Sequence, residues 1–296
     1  MSLDIVKRAF EYFSDRELTV SLHGGEPILV GKRGLFNVLE LFNKQRKHSD
    51  TIYIQTNLHY DVESFIDFFK TLDGVGTSMD EGRDNKVLYK NIDRLLEEGV
   101  DIHVNITLTD AYIDSGKFSE DIKFIESRGV GFRIEPYVYV PGKISLFNYR
   151  RYMEIVNEYM KHPLYTAKHT VCGVNKVVVG GNCAKDGLRV VDADGEVYIC
   201  PNLAGYKMFS IGNIMDDSFS DDLRINKLGM KIFHERAKQI VLKTDCGNCQ
   251  NFAYCEGGCV ANNIFKNWHK LKREEDYILV KNPYCEEVRW FYQGES

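Results

Sequence analysis

The chain has 296 residues, of which 44% are hydrophobic and 27% are charged, a composition typical of a globular protein with a buried core. Its formal net charge is −5, so no positive field favours nucleic acid or an anionic membrane surface. No apolar run approaches the roughly 18 residues of a membrane span. We therefore expect neither a nucleic-acid nor a membrane partner, and a cytoplasmic location.

In the first 160 residues, short β-rich runs alternate with amphipathic helical ones. The helical spacing of apolar residues predicts a first helix at 3–13, capped by Ser2. Strands and helices then alternate, with strands predicted at 18–23, 51–55, 75–79, 101–109 and 131–138, and helices at 35–42, 62–72, 87–98, 118–127 and 146–160. Strands separated by helices of this length predict an α/β fold with a parallel sheet and right-handed crossovers.

Beyond about residue 170 the pattern changes. The β-rich runs 188–193 and 196–199 flank Asp194-Gly195, which predicts a tight hairpin because both turn positions tolerate positive φ. From Cys246 to Cys285 the chain reads as loop-like and rich in cysteine. This is expected of a small domain whose order depends on metal.

Seven of the eight cysteines follow a regular spacing, Cys183-x11-Gly195-x4-Cys200, Cys246-x2-Cys249-x5-Cys255-x3-Cys259, and Cys285. Thiolates two or three residues apart in loops converge on one ion or cluster. In a reducing compartment such cysteines are metal ligands or catalytic groups more often than disulfides. Zinc and iron–sulfur clusters both fit a single C-x2-C group, so the spacing alone leaves both open.

These cysteines resemble the seven-cysteine motif of the SPASM domain that follows the barrel in one group of radical S-adenosylmethionine enzymes. The resemblance extends over nearly the whole chain, through four further segments that stand in the family's order: His23-Gly24-Gly25-Glu26-Pro27, Gln55-Thr56-Asn57, Ser78-Met79-Asp80, and Val104-Asn105-Ile106-Thr107. The first of these is similar to the family's GGEP motif, and the last three are weak signals by themselves.

The resemblance implies an incomplete (β/α)6 barrel over residues 1–165 and a small SPASM domain over 166–296 that holds two auxiliary [4Fe–4S] clusters. By analogy, Cys183, Cys200 and Cys259 hold the first cluster, and Cys172 is the candidate for its fourth ligand. A free buried thiol is the alternative for Cys172. The second cluster is assigned to Cys246, Cys249, Cys255 and Cys285. Zinc is the substitute metal for either site.

The resemblance also implies residues that bind S-adenosylmethionine, namely Gly24, Gly25, Glu26, Pro27, Ser78, Asp80 and Asn105. Glycine lets backbone approach a ligand, and Glu26 could accept from an ammonium group. A plain turn is the alternative for the glycines, and capping or turn roles are the alternative for Ser78, Asp80 and Asn105. Alternation along the last predicted strand places Arg133 and Glu135 on one side, where they could pair.

The family's catalytic cluster is held by a C-x3-C-x2-C loop after the first barrel strand, and no cysteine precedes Cys172 here. The first barrel unit is thus expected to be missing through truncation, natural degeneration or deliberate shortening. We expect S-adenosylmethionine to bind only if that cluster is supplied, and the polypeptide as written to be inactive.

The complete enzyme is expected to modify a peptide or protein through hydrogen abstraction by a 5′-deoxyadenosyl radical. Sulfatase-maturing members carry an acidic residue after the second SPASM cysteine, whereas Pro201 and Asn202 follow Cys200 here. That departure argues against formylglycine formation. The alternative is a non-catalytic iron–sulfur or zinc protein for binding or electron transfer, in which the open barrel edge at 18–23 pairs with a second copy or a partner chain.

Overall fold

The computed structural model describes residues 1–136, 148–166, 187–222 and 226–293. The predictions made for Cys172 and Cys183 lie outside these residues. The chain divides into two compact units. One, the sheet unit, comprises Ser2–Glu135 and Lys161–Ala167. The other, the cysteine unit, contains Met1 and the described residues of Pro136–Met160 and Lys168–Ser296.

The sheet unit is built on a five-stranded sheet in the order β1-β2-β3-β4-β5. Its strands are β1 (Thr19–Leu22), β2 (Thr51–Gln55), β3 (Gly74–Met79), β4 (Ile102–Leu108) and β5 (Gly131–Pro136). Pairing is parallel between β1 and β2, β2 and β3, and β3 and β4, with Leu22 opposite Ile54 and Ser78 opposite Asn105. The predicted α/β fold with a parallel sheet is therefore confirmed, and β1 lies at an edge of the described sheet.

The helices of the sheet unit precede and connect these strands. They are α1 (Leu3–Tyr12), α2 (Gly31–Asn43), α3 (Ile66–Phe69), α4 (Asn85–Glu97), α5 (Asp110–Asp114) and α6 (Lys117–Arg128). Ser2 caps α1 as predicted, since its side chain accepts from the Ile5 amide. The single helix predicted at 62–72 is wrong: a 3₁₀ turn at Val62–Phe65 leads into the short α3. The short α5 was not predicted.

Burial alternates along β2, β3 and β5, so the two faces of the sheet differ. One face carries the apolar core, with Ile52, Ile54 and Ile134 at 1% exposure or less. The opposite face carries polar and partly exposed side chains, among them Gln55, Ser78 and Arg133. Polar side chains of the sheet therefore gather on this second face.

The cysteine unit mixes a small sheet with several short helices. It contains α7 (Tyr149–Tyr159), β6 (Val190–Val191), β7 (Glu196–Tyr198), β8 (Gly212–Asn213), α8 (Leu228–His234), α9 (Arg236–Lys243), α10 (Phe252–Cys255), α11 (Val260–Asn267), α12 (Glu274–Leu279) and α13 (Cys285–Gln293). β6 and β7 form the predicted antiparallel hairpin, and Gly195 in its turn has a φ of 88°.

The loop-like character predicted between Cys246 and Cys285 is wrong. α10, α11 and α12 occupy much of this segment, and α11 buries Ala261, Ile264 and Phe265. These helices are stabilised by tertiary contacts of a few apolar side chains, which a short window of sequence does not show. In the described part of the chain, no helix combines the length and hydropathy needed to cross a bilayer.

Candidate functional site

A glycine turn follows β1. Gly24 and Gly25 have φ values of 94° and 54°, a backbone conformation that disfavours side chains with a Cβ. Pro27 then opens the 3₁₀ turn Pro27–Val30. Two successive glycines with nothing within 4 Å of a built Cβ leave backbone open to an approaching ligand.

Glu26 fastens this turn to the end of β2. Its Oε1 accepts from the Thr56 hydroxyl at 2.6 Å, and its Oε2 accepts from the Asn57 amide at 2.9 Å. The Thr56 hydroxyl also contacts the hydroxyl of Tyr60 at 2.9 Å. Both carboxylate oxygens of Glu26 are thus engaged by protein donors, so its evident role is to position the turn. Binding of a ligand ammonium group by Glu26 stays a prediction.

A row of polar side chains crosses four strands on the second face of the sheet. Gln55 donates to the Ser78 hydroxyl at 3.0 Å and accepts from the Asn105 amide at 3.1 Å. Arg133 Nε donates to Asn105 Oδ1 at 2.7 Å and lies 2.9 Å from Glu135 Oε1. The row brings together the predicted site residues Ser78 and Asn105, and the expected pairing of Arg133 with Glu135 is confirmed. Gln55 joins them through its side chain.

Gly76 makes room for this row. A Cβ built on Gly76 would lie 2.2 Å from Gln55 Oε1, which is closer than atoms can approach. The side chain of Gln55 therefore lies across β3 because its neighbour has no side chain. Asp80, in contrast, forms a local turn in which its carboxylate accepts from the Gly82 amide at 2.9 Å and from Arg83 Nε at 2.7 Å. These contacts fit the turn role considered for Asp80.

Two histidines of the sheet unit have a lowered pKa. Burial, aided by the positive charge of Arg133, lowers the pKa of His103 to about 4. Desolvation also lowers the pKa of His23, and Arg133 adds to this while Glu135 and Glu26 oppose it. His23 follows β1, and Arg133 and Glu135 lie on β5, so groups from both ends of the strand order influence each other electrostatically.

In the cysteine unit, four thiols share one pocket. Cys246, Cys249, Cys255 and Cys285 line it together with Arg289 and a few apolar residues. They are the four residues that the family resemblance assigned to one cluster. Cys200 and Cys259, assigned to the other, act on each other electrostatically. Within the described residues, however, no group of three or more His, Cys, Asp or Glu side chains is arranged to hold a single metal ion as it stands.

Burial raises the pKa of three of the cysteines, Cys200, Cys255 and Cys285. It raises the pKa of Cys200 to about 12 and that of Cys285 to about 11, and neighbouring thiols add to both shifts. Burial also raises the pKa of Cys255, although the Asn282 amide, which donates to its sulfur at 3.6 Å, opposes the shift. Since a coordinated thiol is deprotonated outright, metal binding at this pocket would release protons.

Among the residues beside the thiols that sequence reasoning missed are Asn282 and Arg236. Arg236 is 3% exposed, and burial lowers its pKa to about 10 while the nearby thiols act in the opposite direction. Neither residue belongs to a recognisable motif. Only the tertiary structure brings them to the cysteines.

No family model matches this chain. A cysteine-type anaerobic sulfatase-maturating enzyme of Clostridium perfringens is 26% identical over an alignment of 335 positions, which covers 98% of this chain and 84% of the relative. The solved structure of anSMEcpe with bound AdoMet has a TM-score of 0.69 at 18% identity, over 99% of this chain and 87% of that one. The structure of Streptococcus suis SuiB bound to its precursor peptide SuiA has a TM-score of 0.63 at 17% identity, and the match covers 97% of this chain and 69% of SuiB.

The resemblance to radical S-adenosylmethionine enzymes with a C-terminal SPASM domain is thereby confirmed. Among the particular proteins that this chain is similar to are the cysteine-type anaerobic sulfatase-maturating enzymes of Clostridium perfringens.

Proposed function

We propose that this chain is a radical S-adenosylmethionine protein of the SPASM kind, which in its complete form modifies a peptide or protein substrate. The grouping of the cysteines is the main support for this proposal. The four thiols assigned to one cluster line a single pocket, and Cys200 lies near Cys259 of the other set. Two separate groups of thiols support two auxiliary [4Fe–4S] clusters. When bound, such clusters supply one-electron transfer or a site for substrate.

An incomplete barrel is supported by the sheet. In a flat sheet of five strands the outer strands lie about 19 Å apart, since neighbours are spaced by about 4.8 Å. Charges so far apart are largely screened. Nevertheless the charges of Arg133 and Glu135 on β5 both shift the pKa of His23, which lies just after β1. We infer that the sheet curls and that its polar face lines the interior of a partial barrel.

S-adenosylmethionine supplies hydrogen-abstracting chemistry when bound, and we place it at the polar face of the sheet. The glycine turn at Gly24 and Gly25 offers backbone to a polar ligand, held in position by Glu26. Ser78 and Asn105 offer a hydroxyl and an amide whose orientations are set by Gln55 and Arg133. Pro27 and Asp80 act through the turns that they form.

A peptide substrate is supported by the structural neighbours, because SuiB was solved bound to its precursor peptide and anSMEcpe with AdoMet and the Kp18Cys peptide. We keep the functional division at 1–165 and 166–296 and a cytoplasmic location, because a reducing compartment suits thiols that bind metal. Because the 296 residues contain no C-x3-C-x2-C group, we further propose that this polypeptide alone does not cleave S-adenosylmethionine.

Anaerobic reconstitution tests the cluster assignment. We expect about eight iron and eight sulfide per chain, the content of two [4Fe–4S] clusters. The variant Cys246→Ser/Cys285→Ser should lose about half of the iron, and Cys200→Ser the other half, whereas Glu17→Ala serves as a distant control. Two zinc and no sulfide in the wild type would contradict the radical assignment.

The edge position of β1 favours a second candidate, a non-catalytic protein that keeps the iron–sulfur or zinc sites and binds a second copy or a partner chain. Thr19 and Ser21 of β1 are exposed, and the apolar Leu29 beyond the glycine turn is 84% exposed. Unpaired strand edges invite further pairing. Sedimentation that shows a dimer, together with no 5′-deoxyadenosine from a form carrying the C-x3-C-x2-C loop, would favour this candidate over the enzyme.

A further inference from the structure

Arg236 occupies a position that its own helix does not explain. It is the first residue of α9, where the helix dipole disfavours a cation, and it is 3% exposed. A buried charge is costly unless a counter-charge and hydrogen bonds compensate it. The groups around Arg236 should therefore show which negative charge its guanidinium compensates.

The guanidinium is held by neutral groups. Nη2 donates to the carbonyls of Gly257 at 2.7 Å and Val280 at 2.8 Å, and Nη1 donates to the carbonyl of Glu256 at 3.3 Å. Nε is buried and has no hydrogen-bond partner among the described residues. None of the described ion pairs gives Arg236 a carboxylate. Its hydrogen bonds fix its position but leave its charge uncompensated.

The loop to which Arg236 donates its hydrogen bonds joins the two groups of cysteines. Glu256, Gly257 and Gly258 lie between Cys255 and Cys259, and all three have positive φ, at 42°, 86° and 81°. A Cβ built on Gly257 would lie 2.8 Å from Arg236 Nη1, so the guanidinium rests directly against this loop. Asn263 Nδ2 also donates a hydrogen bond to the Gly257 carbonyl, at 2.6 Å.

The thiols supply the missing counter-charge. Cys255, Cys259, Cys246 and Cys285 all lie near enough to act electrostatically on the guanidinium. They include members of both proposed ligand sets. Once metal is bound, these sulfurs are thiolates, and the buried cation then lies near negative charge from both ligand sets.

We propose that Arg236 is a positioning residue for both iron–sulfur sites, which holds the loop between their ligands Cys255 and Cys259 and offsets the negative charge of their thiolates. The inference rests on the proposed function, since it requires clusters at these sites. Cluster reduction potentials depend on net charge and on hydrogen bonding around the sulfurs. Each reduction adds one negative charge, so a buried cation favours the reduced form and raises the potential of both clusters.

The test separates charge from shape. Arg236→Gln removes the charge, Arg236→Lys keeps the charge but lacks the fork of donors, and Arg273→Gln, at a side chain 76% exposed, is the matched control. Each reconstituted protein is titrated anaerobically with dithionite while electron paramagnetic resonance follows the reduced clusters. Iron content and thermal unfolding are measured on the same samples.

We expect Arg236→Gln to lower the reduced-to-oxidised ratio of both clusters at a fixed potential by on the order of tenfold, which equals about 59 mV for a one-electron couple. Arg236→Lys should keep the potentials but lose iron and unfold at lower temperature, and Arg273→Gln should match the wild type. Should Arg236→Gln fail to fold, Arg236→Lys carries the test alone through its iron content and unfolding temperature.

Full iron loading with unchanged potentials in Arg236→Gln would overturn the proposal and leave the proposed function intact. An Arg236→Lys variant equal to the wild type in iron content and unfolding temperature would overturn the loop-holding role. A wild-type protein that takes up no iron or sulfide would overturn the proposed function and, with it, this inference.

Discussion

Glu26 illustrates how a residue singled out by a motif can act through its neighbours. Its carboxylate accepts one hydrogen bond from Thr56 and one from the Asn57 amide, so it ties the glycine turn after β1 to the end of β2. The sequence indicated that this position matters. It could not indicate the role, because the two donors lie 30 and 31 residues further along the chain.

Replacing Glu26 by alanine should destabilise the protein. The change leaves Thr56 and the Asn57 amide without their acceptor, which we expect to cost about 1–2 kcal/mol at this half-buried site. Glu26→Gln, which retains one acceptor oxygen, should lose less. Urea unfolding measures the difference, and Glu17→Ala at an exposed position is the control. Equal stability of Glu26→Ala and the control would refute the positioning role.

His103 should make the sheet unit sensitive to mild acid. Its pKa is lowered from 6.5 to about 4 in the folded protein by burial and by Arg133, so the unfolded chain binds more protons between these values. Stability should therefore fall as the pH drops from about 6.5 to about 4, by about 1–2 kcal/mol after allowance for partial exposure. In His103→Gln this part of the decline should vanish. A variant with the same pH dependence as the wild type would contradict the assignment.

Helices α4, α5 and α6 meet at one buried carboxylate. Asp121 of α6 has no exposed surface and accepts from the Asn85 amide at 2.5 Å and from the hydroxyls of Tyr89 and Tyr112. Because Asn85 and Tyr89 lie on α4 and Tyr112 on α5, one side chain joins three helices. None of the three donors is a predicted site residue, and the role of Asp121 is structural.

Asp121→Asn should therefore destabilise the sheet unit strongly. The substitution replaces an acceptor oxygen by an amide donor that faces donors, and a buried unsatisfied group of this kind costs about 2–3 kcal/mol. Glu120→Gln, at the exposed neighbouring position on α6, is the matched control and should change stability by less than about 0.5 kcal/mol. Denaturant unfolding followed by far-ultraviolet circular dichroism distinguishes the two.

Sequence patterns predicted elements with a clear period and missed those without one. β2 was predicted at its observed bounds, since apolar and polar residues alternate along Thr51–Gln55. α11 was missed because its buried face includes Asn262 and Asn263, which read as loop residues. The family resemblance assigned Cys246, Cys249, Cys255 and Cys285 to one set, and these four line one pocket. Arg236 gave no signal in the sequence, because its partners are backbone carbonyls that carry no sequence identity.

At the scale of the whole molecule, the two units have separate cores and different sources of order. The sheet unit rests on a continuous apolar face that includes Ile52, Val104 and Ile134. The cysteine unit has four thiols around one pocket and a buried guanidinium, that of Arg236, on the loop after Cys255, and its order is expected to depend on metal. Loss of metal should thus affect one unit far more than the other.

Hydrogen exchange on metal-loaded and metal-stripped protein tests this separation. After oxidative removal of the clusters and chelation, amides in α11 and α13 should exchange at least about tenfold faster, because metal binding contributes directly to folding of such sites. Amides in β2, β3 and β4 should keep their protection, which makes them the internal control. Equal loss of protection in both units would mean that their stabilities are linked, and unchanged protection in α11 would mean that metal does not order the cysteine unit.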